Sequence, residues 1–353
     1  MSELIKESLS SQDEHDSGFD NSKFENLLDY DPEDAGSLMT SVFLVLEDNM
    51  SVQDAMDHVR NQSLAKSIDE ISYILVVDSD NILIGGLNVS QLVISEPTDM
   101  ITTVMYPDII SVSVDTDQEQ CALIMERYNL LTLAVTDSYG RLEGIVKIED
   151  MIDVFQDEAT EDMYKMVGVD EEEKILGPFW TSMKSRLPWL CINLMTAGLA
   201  ALVIVIFEST LTQVIALAAF LPIIAGQGGI LGTQTLTLMV RSMALEEISH
   251  KHTKRLLIKE LCLGLVHGLL LGLIAGTAAY FWQDNIYLSL VIGFSMMGNL
   301  AVAGISGVAL PLFLRAMKVD PALASAVVVT TVTDVVGFII YLGMATLVIN
   351  LII

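Results

Sequence analysis

Hydrophobic positions along this chain change rhythm near residue 180. Before that point the apolar residues come in short runs bounded by turn formers: Phe43–Leu46, Tyr73–Val77 and Ile82–Leu87, then Ile110–Val114, Leu131–Val135 and Leu142–Val146. Runs of this length and composition read as strands. Helical stretches begin at Ser51 and near Val89 in the first set, and lie near Asp117–Tyr128 and Ile148–Phe155 in the second. The turns Asp78-Ser79-Asp80-Asn81 and Asp137-Ser138-Tyr139-Gly140 stand 59 residues apart, so one strand–helix–strand–strand–helix unit is written twice. After residue 180 the apolar runs reach the roughly 20 residues that cross a bilayer. Five spans are predicted, at about 188–207, 211–240, 256–282, 286–314 and 321–350. The expected fold is multidomain: a duplicated α/β unit over 31–102 and 103–156, an acidic linker helix over 157–179, and an all-α transmembrane domain of five helices over 180–353.

Charge divides the chain at the same place. Residues 1–179 hold 9 Lys and Arg against 39 Asp and Glu, a formal −30, whereas residues 180–353 hold 9 against 7, a formal +2. This balance argues against nucleic acid as a partner and suits cations, or plain solubility. The three cysteines, Cys121, Cys191 and Cys262, form neither a disulfide framework nor a zinc spacing. Residues 1–30 show no signal peptide and read as a disordered leader. Lys184 and Arg186 precede the first span, and Arg241, Lys251, Lys254, Arg255 and Lys259 lie between the second and third. Arg315 and Lys318 lie between the fourth and fifth, and the other two loops hold no Lys or Arg. The positive-inside rule then places the soluble half in the cytoplasm and the C-terminus outside the cytoplasmic membrane.

The last span carries one formal charge, Asp334, beside the hydroxyls of Thr330, Thr331 and Thr333. A carboxylate at membrane depth costs at least ~2.5 kcal/mol, so it is expected to face water, a cation or a partner. A narrow polar seam for a cation is one reading; an aspartate tied to a helix terminus or a neighbouring polar side chain is the other. Span two holds Gly226, Gly228, Gly229 and Gly232 with Gln227, Thr233 and Gln234. Glycines at this density either let helices pack closely or break the helix where carbonyls line a cavity. Asn299 in span four joins the candidate pore lining, and the lone His267 of span three reads as a packed histidine. The linker holds Asp157, Glu158, Glu161 and Asp162 on one amphipathic stretch with Met163 and Met166. No Walker motif, nucleophile–base set or HExxH site is present, so no enzyme activity is expected.

The doubled unit resembles a tandem pair of CBS domains, each copy opening on Met39-Thr40 or Met105-Tyr106 and closing on a strand with a central glycine. From Asp31 onward the whole resembles the MgtE family of magnesium channels and transporters. The likeness runs through Asp31-Pro32-Glu33-Asp34-Ala35-Gly36-Ser37-Leu38-Met39-Thr40, the linker Glu158-Ala159-Thr160-Glu161-Asp162, the glycine-rich span and Gly307-Val308-Ala309-Leu310-Pro311. It ends on Val319-Asp320-Pro321-Ala322-Leu323-Ala324-Ser325 and Thr331-Val332-Thr333-Asp334-Val335-Val336-Gly337. The resemblance implies a homodimer in the lipid bilayer, with a pore along its axis and paired Asp334 carboxylates holding hydrated Mg²⁺. It implies that Asp320 helps a regulatory cation hold the pore shut. It also implies that Mg²⁺ bridges the acidic CBS and linker surfaces, including Asp157, Glu158, Glu161 and Asp162, when internal magnesium is high. ATP or another adenine nucleotide is implied at the CBS pair, with Asp150 at the ribose position of the second copy and Lys147 in place of the usual Ser or Thr. The first copy has Gln91 and Asn88 at those positions.

Three departures bear on these expectations: the chain is read as a variant without the family's large helical N-terminal domain, Ile230 replaces the usual asparagine, and Ala326-Val327 stand where a small or polar residue followed by proline is common. They bear on the strength of magnesium gating and on selectivity among divalent cations. Two other functions fit the same segments: a coupled secondary transporter of broader divalent selectivity, and a membrane-anchored CBS nucleotide sensor.

Overall fold

The computed structural model describes residues 30–66, 73–170, 173–248, 252–323 and 326–353. The expected leader, Glu171-Glu172 of the acidic run, Lys251 of the basic loop and Ala324-Ser325 of the closing motif lie outside the described residues. The chain divides into two compact units, one up to Glu158 and one from Ala159.

In the first unit, the helix α1 (Ala35–Leu38) leads into β1 (Val45–Glu47), α2 (Val52–Lys66), β2 (Tyr73–Val77), β3 (Leu83–Asn88), α3 (Val89–Ile94) and α4 (Ile101–Val104). The second copy follows as β4 (Ser111–Ser113), α5 (Gln118–Tyr128), β5 (Thr132–Thr136), β6 (Leu142–Lys147) and α6 (Ile148–Val167), whose residues from Ala159 on belong to the second unit. Each sheet has three strands, with β1 parallel to β2 and β2 antiparallel to β3, and the same order in β4-β5-β6. Tyr73 pairs with Asn88 and Thr132 with Lys147, and each hairpin is irregular at its far end, Val76/Val77 and Val135/Thr136. Matching registers at the 59-residue spacing show the duplication at the level of single pairs. The Asp-Ser turns are built alike. Asp78 Oδ1 accepts from the amides of Asp80 and Ile82 at 2.9 Å, and Asp137 Oδ1 from those of Tyr139 and Arg141 at 2.8 Å. Such Asx turns need a left-handed residue, supplied by Asn81 (φ 64°) and Gly140 (φ 81°). The copies are knit by reciprocal bridges: Thr40 pairs with Ile145 of β6, and Tyr106 with Gly86 of β3.

The helix α6 is one element where a helix ending near Phe155 and a separate linker were expected, because no breaker interrupts residues 148–167. It ends where Gly168 turns left-handed (φ 70°) beneath the Trp189 ring, which a Cβ would meet at 3.0 Å. Of its two methionines, Met166 packs against Leu236, Val240, Ala322 and Val329, whereas Met163 is exposed.

The second unit continues with α7 (Phe179–Ile206), α8 (Glu208–Gln213), α9 (Ala216–Ala244), α10 (Thr253–Gln283), α11 (Ile286–Ala316), a 3₁₀ turn (Pro321–Leu323), α12 (Ala326–Leu347) and α13 (Ile349–Ile352). Among the described residues, five helices (α7, α9, α10, α11 and α12) are long and apolar enough to cross a membrane. Their ends differ from the expected spans. The helix α7 starts at Phe179 rather than Pro188, since Lys184, Ser185 and Arg186 are helical though not apolar. The last span starts at Ala326 rather than Pro321, where Asp320 Oδ1 accepts the Ala322 amide and the chain makes a 3₁₀ turn first. The helix α9 runs unbroken through Pro222 and all four glycines. Its apolar contacts, with α11, α12 and part of α7, form one core around Leu217, Ile224, Leu300, Tyr341 and Leu342. The helices α10 and α11 approach through backbones: Gly264, Gly268, Gly272 and Gly276 recur every fourth residue, and a Cβ at Gly272 would lie 2.5 Å from Gly293 O. His267 sits on the exposed face of α10, not packed among helices.

Candidate functional site

The helices α9 and α12 bound an open groove of about 900 Å³ among the membrane helices. The α9 wall is Ala225, Gly226, Gly229, Ile230, Thr233, Gln234, Thr237 and Leu238; the α12 wall is Thr330 and Asp334. Residues 226, 229, 233 and 237 recur at three and four, so they share one stripe of the helix. The glycines of this segment divide by face. Gly226 has open space where a side chain would stand, and Gly229 faces Thr330, whose Cγ2 would be 3.1 Å from an added Cβ. Gly228 and Gly232 instead are buried, packed on Asn299 and Val329 respectively. The packing reading of this segment holds for Gly228 and Gly232, whereas the helix break does not occur: Gly226 and Gly229 border the groove on an unbroken helix.

Asp334 is half-buried and has neither a hydrogen bond nor an ion pair to protein among the described residues. Its threonine neighbours are turned back onto their own helix. Thr330 and Thr331 donate to Val327 O at 3.1 and 2.6 Å, and Thr333 donates to Thr330 O at 2.9 Å. A hydroxyl whose proton is committed in this way still has lone pairs for a cation or its water. Only Thr330 lines the groove; Thr331 is part-buried outside it and Thr333 is fully buried.

Three residues expected in the pore lining therefore lie elsewhere: Gly228, Thr331 and Asn299. Asn299 is fully buried behind the groove, where its amide donates to Ile224 O at 2.8 Å while Oδ1 has no partner. Its polarity alone placed it among the candidate lining residues, but its side chain meets helix backbones at Gly228 and Gly337. A buried acceptor left unmet costs about 1–3 kcal/mol. The buried carboxylate of Glu260 in α10 was not anticipated; it accepts from Thr235 Oγ1 at 3.1 Å. An acid at the fifth position of a predicted span was the available signal, masked by the basic residues around it.

A second cluster joins the end of α6 to the turn before α12. Lys165 Nζ lies 2.8 Å from Asp320 Oδ2 and also pairs with Glu161. Burial lowers the affinity of Lys165 for its proton, but Asp320 and Glu161 outweigh burial and push its pKa up. Asp162 is raised to about 6, by burial first and then by Asp320 and Glu161, with Lys165 opposing. Beyond the helix end, Arg186 pairs with the buried Glu173 at 2.8 Å; hydrogen bonding from Ser182 and the Arg186 charge hold that carboxyl low. Of the other expected ligands, Asp157 is exposed and Glu158 accepts from Gln118 at 2.7 Å. Among the described residues no three His, Cys, Asp or Glu side chains converge as a metal cage. Mg²⁺ does not require one, since it keeps several waters and takes one or two carboxylates.

The first unit has a cleft of about 320 Å³ lined by Tyr73, Asn88, Asp108, Asn129 and Thr132 among others. Lys147 and Asp150, expected at a nucleotide, are exposed and do not line it. Lys147 ends β6 opposite Thr132, and Asp150 sits in the first turn of α6. Gln91 is committed to local structure, accepting from the Asn88 amide and donating to Val104 O, both at 3.2 Å.

Comparison with known proteins assigns this architecture. The family model described as a divalent cation transporter, MgtE, matches residues 221–344, and the CBS domain model matches 35–93 and 101–157. The chain is 35% identical over 328 residues to the magnesium transporter MgtE of Thermus thermophilus, covering 92% of this chain and 72% of that one. With MgtE of Enterococcus faecalis it shares 35% identity over 325 residues, 92% of this chain and 71% of the relative. The chain belongs to the MgtE magnesium transporter family. Family members are transporters rather than enzymes, and the groove falls within the region matched by the transporter model. A solved cytosolic domain of the Mg²⁺ channel MgtE in complex with ATP is 34% identical, covers 38% of this chain and 53% of that chain, and superposes with a TM-score of 0.36.

Proposed function

We propose that this family member is a Mg²⁺ channel of the cytoplasmic membrane that works as a homodimer, with its soluble half in the cytoplasm and its C-terminus outside. The open groove is half of a pore, and a second copy closes it and brings two Asp334 carboxylates together around a hydrated ion. The observation that carries this reading is the unpartnered Asp334 at membrane depth, facing a glycine-lined wall across an open groove. A charge this costly to bury finds its stabilisation in the cation and its water. Exposed apolar side chains on α7, α9 and α12 support burial against lipid or a second copy. Intracellular Mg²⁺ closes the pore by bridging acidic surfaces of the CBS pair and α6, including Asp157, Glu158, Glu161, Asp162 and Asp320. The formal −30 of residues 1–179 supports a divalent counter-ion there. Nucleotide binding stays outside this reading, because Lys147 and Asp150 do not line the CBS cleft.

The test is Mg²⁺ current through purified protein in planar bilayers. Asp334→Ala should abolish the current while the protein still elutes as a folded dimer. Undiminished current in that variant would remove the groove from the conduction path.

A further inference from the structure

We propose that Asn299 is a positioning residue that sets the width of the Asp334 groove from behind; this rests on the reading of the groove as the conduction path. Asn299 contributes nothing to the lining. It is fully buried in α11, and it touches both helices that make the groove walls. On α9 it donates to Ile224 O at 2.8 Å and fills the space beside Gly228, which lies between the lining residues Gly226 and Gly229. On α12 its Oδ1 stands 2.6 Å from where a Cβ of Gly337 would be, one turn beyond Asp334. Two glycines therefore leave room for one amide, which together with the direct contacts Gly229–Thr330 and Gly232–Val329 sets how near α9 and α12 approach at the level of the acid.

The next side-chain hydrogen bond along the buried face of α9, past the Gly232–Val329 packing contact, shows why this node is distinct. Thr235, two helical turns beyond Gly228, donates to Glu260 of α10. That bond holds α9 to α10 and says nothing about α12. Asn299 alone of the two reaches both walls. An apolar residue of similar size would fill the same space without an unmet acceptor, but it could not hold the Ile224 carbonyl. The amide trades stability for a defined separation, and separation across the groove decides how an ion's hydration shell fits between Asp334, Thr330 and the glycine wall.

The prediction concerns selectivity rather than total flux. In liposome current measurements with Mg²⁺ and Ca²⁺ as probes, Asn299→Ala should lower the Mg²⁺-to-Ca²⁺ permeability ratio about tenfold, equivalent to about 1.4 kcal/mol. Gly228→Ala should lower the ratio as well, because its new methyl presses on Asn299 from the α9 side. A purely structural role would lower current in proportion to folded protein and leave the ratio alone. Ratios within about twofold of wild type in both variants would overturn the proposal. If Asn299→Ala does not fold, Gly228→Ala decides. Asp334→Ala is measured in parallel: current persisting there sinks the groove reading itself. Lost current in Asp334→Ala with unmoved ratios in the other two sinks only the role of Asn299.

Discussion

Replacing Lys165 by Met removes the cation that joins α6 to the turn before α12. In the wild type its ammonium lies 2.8 Å from Asp320, pairs with Glu161 and sits beside Asp162. The Lys165 and Asp320 side chains are 31% and 37% exposed. The pair is therefore neither an exposed one, worth ~0.2–1 kcal/mol, nor a fully buried one, whose disruption costs ~3–5 kcal/mol. A value of about 1–3 kcal/mol follows, or roughly 5- to 150-fold in an equilibrium. Lys165→Met leaves three carboxylates near one another with no counter-ion of the protein's own. Closure must then draw more on Mg²⁺, so the internal concentration that halves the current should rise by at least about fivefold. The assay is current against internal Mg²⁺ in inside-out patches, with Lys165→Arg retaining the charge and shifting less. A midpoint that is unchanged, or lower, would refute the reasoning and show that Lys165 competes with the regulatory ion.

Three further outcomes are expected. Asp162 has its pKa raised to about 6, so its contribution to stability is full below its ordinary value and is lost as pH rises through 6. In Mg²⁺-free buffer the thermal midpoint should therefore be lower at about pH 7.5 than at about pH 5, and Asp162→Asn should narrow that difference; an equal difference in the variant assigns the effect to other groups. Gly272→Val forces a side chain against Gly293 O and should cost about 1–3 kcal/mol or more, seen as a lower unfolding temperature in detergent. Gly198→Val, with open space around it, is the control and should change little. Tyr341→Phe removes a buried hydrogen bond to Leu217 O of 3.1 Å and should cost about 1–2 kcal/mol by the same measurement, with selectivity unmoved.

The parts of this fold that were legible in sequence are those set by local periodicity. Short apolar runs and Asp-Ser turns repeat at one spacing, and the registers Tyr73–Asn88 and Thr132–Lys147 follow that spacing residue by residue. Five long apolar runs give five helices, although their ends shift where polar but helical residues such as Lys184 and Arg186 extend them. Side-chain direction was less legible. Gly226 and Gly228 are two residues apart on one glycine-rich helix, yet one faces the groove and the other an asparagine from α11. Helical spacing separates such faces but does not say which neighbour each one meets. Asn299 read as a polar rung because only its polarity was visible. Its burial against two glycines depends on three helices that are distant in sequence. The Lys165–Asp320 pair joins residues 155 apart, and no pattern along the chain points to it.

The proposed groove conducts magnesium and is closed by internal magnesium. Its most direct test is Mg²⁺ uptake into liposomes holding the purified protein, with the Mg²⁺ concentration varied on the side of the soluble half and Asp334→Ala as control. Uptake should fall as that concentration rises and be absent in the variant. Uptake equal in the variant and the wild type would contradict it.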